Sequence, residues 1–320
     1  MKPHELQNLK KTLTEASKFI SVKPEKPDSK QRHIIDEWKK LKFANYVDIP
    51  EFNIPKNLIK VTLNTKEYNA LIFYGEGGLG KTVLAINRVR EILEPDDYEY
   101  YNGYSTPLSI YEILYRARNK KLLILDDIEG IFGNPVATSI LKGALWESGG
   151  KRLIQYNTKS EKAEGLPDIF EFKAKLIILC NKIPNQQDIG VSAMISRTVS
   201  YEFKLSFEQK IEIIGKLIDS RKDLSMKQKQ ECLKLIKEET SEATRNFNFR
   251  LLKKAIAFVK EDKANAKELF KATVEKDEDK EIVLKLMKSD LSVSEQAVHF
   301  WQRTGKSRRT FFRIKKEVSK

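Results

Sequence analysis

Residues 75–82 read Gly-Glu-Gly-Gly-Leu-Gly-Lys-Thr and complete the phosphate-binding pattern G-x-x-x-x-G-K-[ST]. The apolar run 70–74 precedes them with the length of one buried strand, and a helical pattern begins at residue 82. Glycines let the backbone turn tightly and aim its N–H groups at a phosphate, at a helix N-terminus whose dipole favours anions. This strand–loop–helix order restricts the chain to an α/β fold that binds a nucleoside triphosphate. The predicted nucleotide-contacting residues are Gly75, Glu76, Gly77, Gly78, Leu79, Gly80, Lys81 and Thr82.

The last two residues of this loop carry chemistry on their side chains. The Lys81 ammonium can reach the β- and γ-phosphates of a nucleotide, and the Thr82 hydroxyl can ligate Mg²⁺. Because both residues follow the glycine turn directly, the backbone that cradles the phosphates also fixes these two groups. The expected cofactors are therefore ATP and Mg²⁺.

A second apolar run, residues 121–127, reads Lys-Leu-Leu-Ile-Leu-Asp-Asp. It describes a buried strand whose carboxylates emerge at the carboxyl edge of the sheet, where an open α/β sheet keeps its ligand. We expect Asp126 to hold Mg²⁺ through water. Asp127 is the candidate for polarising the attacking water, and Glu129, two residues further along the chain, is the alternative base.

Three more polar residues follow at positions where they could meet the nucleotide. A third apolar run ends at Asn181, whose amide would orient the lytic water if its strand lies between those of the first two motifs. Arg197 precedes an alternating strand, and its guanidinium is suited to stabilise charge on a transferring phosphoryl group, in cis or from a neighbouring subunit. Arg250 lies in a helical region and is expected to reach back over the nucleotide, with Arg245 as its competitor for that role.

In this order the motifs resemble those of the AAA+ ATPases over residues 50–260. Gly75–Thr82 is similar to their Walker A motif, Leu122–Asp127 to their Walker B motif and Asn181 to their sensor 1. The resemblance implies an αβα core, a helical lid, and ATP hydrolysis at the interface between subunits of a ring or filament.

Two arginines extend the resemblance beyond these motifs. Arg197 looks like the family's arginine finger, in a Ser-Arg pair before the last core strand. Asn248-x-Arg250 looks like the sensor 2 of the helical lid. The resemblance therefore implies that Arg197 stabilises charge on the transferring phosphoryl group, in cis or from a neighbouring subunit, and that Arg250 acts from the helical lid.

The last residue of the Walker B-like motif differs from the residue that most AAA+ ATPases have there. Walker B usually ends in Asp-Glu, whereas this chain has Asp126-Asp127, a string similar to that of bacterial replication-initiator ATPases. Slow turnover or switch-like behaviour is the alternative to ordinary activity.

The phosphate loop and the run that ends in Asp126-Asp127 also resemble those of signalling NTPases of the nucleotide-binding switch type. Those proteins carry Thr-Thr-Arg where this chain has Leu-Cys-Asn at 179–181. Those proteins usually continue into long repeat arrays, whereas this chain has 320 residues.

The C-terminal region, residues 281–320, holds ten Lys or Arg against four Asp or Glu, a net charge of +6. Its pattern predicts three helices, with Gly305 and Ser307 between the second and the third. The string Gly305-x-Ser307-x-x-Thr310-x-x-Arg313 resembles the turn and recognition helix of a helix-turn-helix, in which glycine permits the tight turn and Ser307 would cap the last helix. Such motifs usually have a small residue four positions before the glycine, where this chain has Trp301.

The last of these helices has one apolar and one basic face. Phe311, Ile314 and Val318 recur at i, i+3 and i+7, which predicts an inner stripe. The cations on the other side are then available for phosphate or base contact with duplex DNA. The predicted DNA-binding residues are Lys306, Arg308, Arg309, Arg313 and Lys316.

Composition restricts the remaining classes of function. No apolar run approaches the ~20 residues of a membrane span, and the start of the chain has no signal-peptide pattern. We therefore expect a cytoplasmic protein with no membrane partner, in the host cytoplasm if the protein is viral. Cys180 and Cys232 provide no disulfide framework, in keeping with a reducing compartment. The formal net charge of +14 favours a polyanionic partner.

Changes of pattern along the chain predict five regions. Apolar strands alternate with helices in the second region, which indicates a parallel sheet built from βαβ units. The regions are a helical N-terminal extension (1–45), a nucleotide-binding core (46–205), a helical lid (206–263), a charged linker (264–280) and a small helical unit (281–320).

The sequence therefore predicts an α/β fold: a P-loop NTPase αβα core with a parallel sheet, a helical lid and a small all-α helix-turn-helix unit. The expected function is Mg²⁺-dependent ATP hydrolysis by a homo-oligomer acting on DNA, in replication initiation, helicase loading or transposition, for a virus or mobile element. A helicase or another replication or transposition protein would be the partner. The alternatives are a nucleotide-gated signalling switch and a protein-remodelling ATPase, each with a basic tail that binds protein.

Overall fold

The computed structural model describes residues 47–103, 105–157, 163, 165–182 and 188–319. The predicted N-terminal extension lies outside the described residues. The described chain divides into two compact units, which we call the sheet unit and the helical unit. Within the described residues, the sheet unit comprises Pro50–Gly75 and Lys81–Phe203, and the helical unit comprises 47–49, Glu76–Gly80 and 204–319.

The sheet unit alternates strands and helices along the chain. Its strands are β1 Ala70–Gly75, β2 Tyr98–Asn102, β3 Leu122–Asp126, β4 Leu153–Gln155, β5 Ile169–Glu171, β6 Lys175–Leu179 and β7 Val199–Phe203. Its helices are α1 Asn53–Asn64, α2 Lys81–Arg90, α3 Pro107–Ala117, α4 Glu129–Phe132, α5 Pro135–Leu145 and α6 Ile189–Ile195.

Five of these strands form a parallel sheet in the order β2-β3-β6-β1-β7. Strand β6 thus lies between β1 and β3, as the role suggested for Asn181 requires. The predicted α/β fold with a parallel sheet is confirmed. Strand β2 and the short antiparallel hairpin β4–β5 were not predicted.

The central strands are apolar along their length because both faces of the sheet are covered. All five residues of β3 are buried, as are the last four of β6. Alternate residues such as Ile72, Leu123 and Ile178 pack in one cluster with residues of α3 and α5. Their neighbours Leu71 and Ile177, which point to the opposite face, are also fully buried. This is the three-layer arrangement that continuous apolar strands favour.

The helical unit contains α7 Phe207–Asp219, α8 Met226–Glu239, α9 Arg250–Glu261, α10 Ala266–Ala272, α11 Glu278–Met287, α12 Val293–Thr304 and α13 Arg308–Val318. Residues of α7 to α10 share one apolar cluster, and residues of α11 to α13 share another. The predicted linker 264–280 differs from expectation, since it contains α10 and the start of α11. Phe270 of α10 is fully buried in the first cluster, which ties this stretch to α7, α8 and α9.

The last three helices pack around Phe300, Phe311 and Ile314, all nearly inaccessible to solvent. Gly305 ends α12 in the left-handed region with φ of 67°, and the Ser307 side chain caps α13 by accepting the Thr310 N–H. The predicted turn and N-cap are therefore present. The bulky Trp301 is 58% exposed and does not crowd the packing, because the neighbouring Phe300 fills the interior.

Two glycines of the helical unit should respond to alanine in opposite directions. Gly305→Ala should lower the free energy of unfolding by about 1 kcal/mol, since a left-handed φ is strained for any residue with a Cβ. Gly215 lies inside α7, where an added Cβ meets no atom within 4 Å. Gly215→Ala should therefore raise the free energy of unfolding by about 0.5–1 kcal/mol. Urea unfolding followed by circular dichroism measures both, and the same sign for the two variants would contradict this account.

Candidate active site

The glycine-rich loop connects β1 to α2, as its sequence predicts. Gly75, Gly78 and Gly80 have φ of 135°, 81° and 88°, a range in which side chains are strained. A Cβ on Gly75 would lie 2.4 Å from the carbonyl oxygen of Phe203. Glycine is therefore required at this position by both conformation and space.

Lys81 begins α2 and is 7% exposed. Its Nζ donates to the carbonyl oxygen of Gly75 at 2.7 Å and to Oδ1 of Asn181 at 3.4 Å. The lysine of the loop and the amide that follows β6, which are 100 residues apart in the chain, thus meet at the carboxyl edge of the sheet.

Thr82 and Asp126, the two predicted metal ligands, are in direct contact. The Thr82 hydroxyl donates to Oδ2 of Asp126 at 2.8 Å, and the Tyr100 hydroxyl donates to the same oxygen at 2.8 Å. Burial raises the pKa of the Asp126 carboxyl, and the hydrogen bonds from Tyr100 and Thr82 oppose that shift. Burial, together with the nearby Asp126 charge, also raises the pKa of Tyr100, so the phenol remains a hydrogen-bond donor at neutral pH.

This donor set fits Mg²⁺ bound together with a nucleotide. Mg²⁺ takes oxygen ligands and usually keeps several waters, with one or two carboxylates and the substrate's phosphates completing its shell. Thr82 and Asp126 supply one hydroxyl and one carboxylate, held together at the start of the helix that follows the phosphate loop. Among the described residues, His, Cys, Asp and Glu form no group of three or more that could hold a metal ion alone.

Asp127 and Asn181 form the second polar pair at this edge. The Asn181 amide donates to Oδ1 of Asp127 at 3.4 Å, and the Asp127 backbone N–H donates to the Leu179 carbonyl at 3.2 Å. Asp127 has a φ of 53°, in the left-handed region that aspartate tolerates better than most residues. This turn separates the two carboxylates: Asp126 is 3% exposed, whereas Asp127 is exposed. The side chain of Glu129, the alternative base, lies outside the described residues.

Arg197 follows α6, and two neighbours in the sheet unit hold its side chain. The guanidinium lies 5.1 Å from the ring centroid of Trp146 and donates to the Ala193 carbonyl oxygen. Trp146 itself is 59% exposed. A cation over the face of an aromatic ring is attracted by the ring's quadrupole, so this contact restrains the Arg197 side chain.

The sensor-2-like residues adjoin the phosphate loop within the helical unit. The Phe249 N–H donates to the Gly78 carbonyl oxygen at 3.1 Å, and a Cβ on Gly78 would lie 2.8 Å from the side chain of Asn248. Oδ1 of Asn248 in turn accepts the backbone N–H of Arg250 at 2.9 Å. Arg250 therefore starts α9 next to a segment that touches the glycine loop.

Two further basic side chains of the helical unit, those of Lys210 and Arg245, form ion pairs. Nζ of Lys210 on α7 lies 2.5 Å from a carboxylate oxygen of Glu76 in the loop. Arg245, the competitor of Arg250, lies 3.9 Å from the Asp277 carboxylate just before α11.

The five predicted DNA-contacting residues are all exposed, but two are partly neutralised. Lys306 pairs with Asp279, and the Arg313 guanidinium lies 2.6 Å from Glu317. The exposed residues are Lys306, Arg308, Arg309, Arg313 and Lys316.

The remaining cations of α13 have different surroundings. The Arg308 guanidinium lies 5.6 Å from the ring centroid of Phe312, which is 41% exposed. Within the described part of the chain, Arg309 and Lys316 have no acidic partner. These two residues are seven positions apart and therefore share one helix face.

Sequence reasoning missed Tyr100, Trp146 and the Lys210–Glu76 pair. Each contact joins residues that are far apart in the chain, and none belongs to a recurring motif. The one available signal was the run Tyr-Glu-Tyr-Tyr at 98–101, whose aromatic residues favour a strand.

No protein-family model matches the chain. An uncharacterized 36.7 kDa protein of Enterobacteria phage T4, from the nrdC–mobD intergenic region, is 27% identical over 157 residues, covering 45% of this chain and 47% of that protein. The chain thus spans about half the length of this curated relative.

Solved structures similar to this chain include two proteins that act on DNA. The replication initiator DnaA bound to AMPPCP and single-stranded DNA is 15% identical, with 88% of this chain and 92% of that chain covered and a TM-score of 0.44. The Thermotoga maritima RuvB Holliday junction branch migration motor is 13% identical, with 86% of this chain and 90% of that chain covered and a TM-score of 0.44.

Among the described residues, no helix combines the length and the apolar character that crossing a membrane requires.

Proposed function

We propose that the protein is an AAA+ ATPase that binds ATP with Mg²⁺ and hydrolyses it. The observation that carries the proposal is the contact of the Thr82 hydroxyl with the buried Asp126 carboxylate, beside Lys81 at the end of the glycine loop. These are the groups that phosphoryl transfer in P-loop enzymes requires at one sheet edge. Equilibrium binding of fluorescent ATP, followed by phosphate release with and without Mg²⁺, tests it.

Each residue at this edge has a distinct role in the proposed reaction. Lys81 neutralises charge on the β- and γ-phosphates, and the loop N–H groups hold their oxygens. Mg²⁺, when bound with the nucleotide, offsets charge that develops on the phosphate oxygens. Asp127 accepts a hydrogen bond from the attacking water, and Asn181, which already contacts both Lys81 and Asp127, orients that water.

The two remaining arginines would link hydrolysis to other parts of the assembly. We assign Arg197 to the nucleotide of a neighbouring copy, since Trp146 and Ala193 hold its charge near the surface. Arg250 would contact the nucleotide of its own subunit, because Asn248 and Phe249 bring the start of α9 against the loop. The protein would then work as a homo-oligomeric ring or filament.

Mixing two inactive variants tests the assignment of Arg197. Arg197→Ala alone should lose roughly 1,000-fold in turnover, as removal of an arginine finger does. A mixture of Arg197→Ala with Lys81→Ala should regain part of the activity, because intact pockets of the first meet intact arginines of the second. The control replaces Lys81→Ala by the double variant Lys81→Ala/Arg197→Ala and should stay inactive. Wild-type turnover by Arg197→Ala alone would rule the role out.

We further propose that the protein acts on duplex DNA, which it binds through the exposed cations of α13. Its exposed cations and the capped turn before it support this assignment. Replication initiation, helicase loading and transposition are the processes that fit an ATPase with such a unit. A viral or mobile-element setting accords with a relative in a phage. Binding of the basic unit to protein instead of DNA would favour a signalling switch or a protein remodeller.

A further inference from the structure

Tyr100 lies on β2, the strand next to the one that carries Asp126. The parallel register pairs Asn102 with Asp126, two positions beyond Tyr100. Side chains two residues apart on a strand share a face, so Tyr100 and Asn102 lie on the face from which Asp126 emerges. The topology therefore places a phenol beside the carboxylate of the proposed metal site.

Two hydroxyl groups converge on one oxygen of that carboxylate. Thr82 and Tyr100 both donate to Oδ2 of Asp126 at 2.8 Å. Asp126 is 3% exposed, so bulk water cannot replace these donors. The terminal torsion of an aspartate is broad when nothing restrains it. Two donors to Oδ2, from different elements of the fold, therefore restrain the rotation of the carboxylate.

We propose that Tyr100 is a positioning residue for Mg²⁺: it holds Asp126 in the one orientation in which the carboxylate supports the nucleotide-bound cation. This role rests on the proposed ATP binding. Thr82 is itself a proposed metal ligand, whereas Tyr100 acts through Asp126. Groups that orient a metal ligand in this way typically contribute 10- to 100-fold to metal affinity or activity.

The neighbouring Tyr101 provides a matched control on the same strand. Adjacent residues of a strand point to opposite faces, and the Tyr101 hydroxyl accepts a hydrogen bond from Ser105 at 2.8 Å. Tyr101→Phe therefore removes a hydrogen-bonded phenol oxygen from the same strand, on the face opposite to Tyr100. Both substitutions keep the aromatic ring, and circular dichroism melting curves of each variant would verify the fold.

The experiment measures ATP affinity by fluorescent ATP titration in saturating Mg²⁺ and in EDTA. The ratio of the two dissociation constants reports how much Mg²⁺ strengthens binding. Tyr100→Phe should reduce that ratio by about 10-fold while leaving the affinity in EDTA unchanged, and Tyr101→Phe should match the wild type. In an Asp126→Asn background, Tyr100→Phe should have no further effect, because the carboxylate through which it acts is gone.

The outcomes separate this role from the function on which it rests. An unchanged ratio in Tyr100→Phe, or an equal loss in the Asp126→Asn background, overturns the positioning role while ATP binding stands. Loss of affinity in EDTA as large as in Mg²⁺ also overturns it, since the effect would then be on the fold of the loop. A wild-type protein that binds no ATP overturns the proposed function, and the role of Tyr100 with it.

Discussion

Lys81→Ala is expected to abolish ATP binding or hydrolysis while leaving the protein folded. The Lys81 ammonium is the positive charge that the phosphate loop itself supplies, and its Nζ is held by Gly75 and Asn181 at the sheet edge. Without it, the phosphate loop itself would oppose the charge of the β- and γ-phosphates with its backbone dipoles alone. We expect a fall in turnover of at least about 100-fold, the order seen when one transition-state donor is removed.

The matched control for this variant is Lys60→Ala, at an exposed position of α1. It removes the same charge and the same side-chain length from the sheet unit and should retain wild-type activity. Phosphate release measures turnover, fluorescent ATP measures binding, and circular dichroism verifies the fold of both variants. Undiminished hydrolysis by Lys81→Ala would remove the basis of the proposed function.

Removal of residues 278–320 is expected to cost most of the affinity for duplex DNA and little of the basal ATP hydrolysis. The cut lies at residue 278 and not at the boundary of 281 that the sequence predicts, because α11 begins at Glu278. The truncated protein retains Val274, which packs on the apolar cluster of α7 to α10, and the pairing of Thr244 with Lys276. The removed segment holds eleven Lys or Arg against six Asp or Glu, a net charge of +5.

Single substitutions on α13 refine the same prediction. Each phosphate contact releases condensed counterions from the duplex when the protein binds. Arg309→Ala and Lys316→Ala each remove one such contact, and should therefore each reduce the slope of log affinity against log salt by about 0.9. Arg313→Ala should change the slope less, since Glu317 already neutralises Arg313. Fluorescence anisotropy with a labelled duplex at several salt concentrations measures these slopes. An unchanged affinity and slope in the truncated protein would place any DNA contact elsewhere and contradict the helix-turn-helix assignment.

Local pattern predicted much of the candidate site because its parts are local. The glycine loop, the strand ends at Asp126 and Asn181, and the cap at Ser307 each depend on a few consecutive residues. A glycine with positive φ, an apolar run of strand length or a serine before a helix has the same physical meaning in any chain. The structure places Lys81, Thr82, Asp126, Asp127 and Asn181 together at one edge of the sheet.

Other features escaped sequence reasoning for identifiable reasons. The hairpin strands β4 and β5 have three residues each, too few for a period to be recognised. The stretch 264–280 is so rich in charge that its apolar residues do not stand out, although Phe270 anchors it in the apolar cluster of α7 to α10. Strand β2 mixes tyrosines with polar residues, because it lies at the edge of the sheet and is only partly buried.

The sequence by itself determined the fold class, the phosphate loop, the carboxylates at the end of β3 and the capped basic helix at the C-terminus, since each is specified by neighbouring residues. Only the tertiary structure decided which distant groups meet: Tyr100 with Asp126, Trp146 with Arg197, and Lys210 with Glu76. The order of strands controls the first of these contacts, because pairing β2 beside β3 brings a phenol to a carboxylate 26 residues away. Strand order is a property of non-local pairing, and no local pattern in a single sequence specifies it.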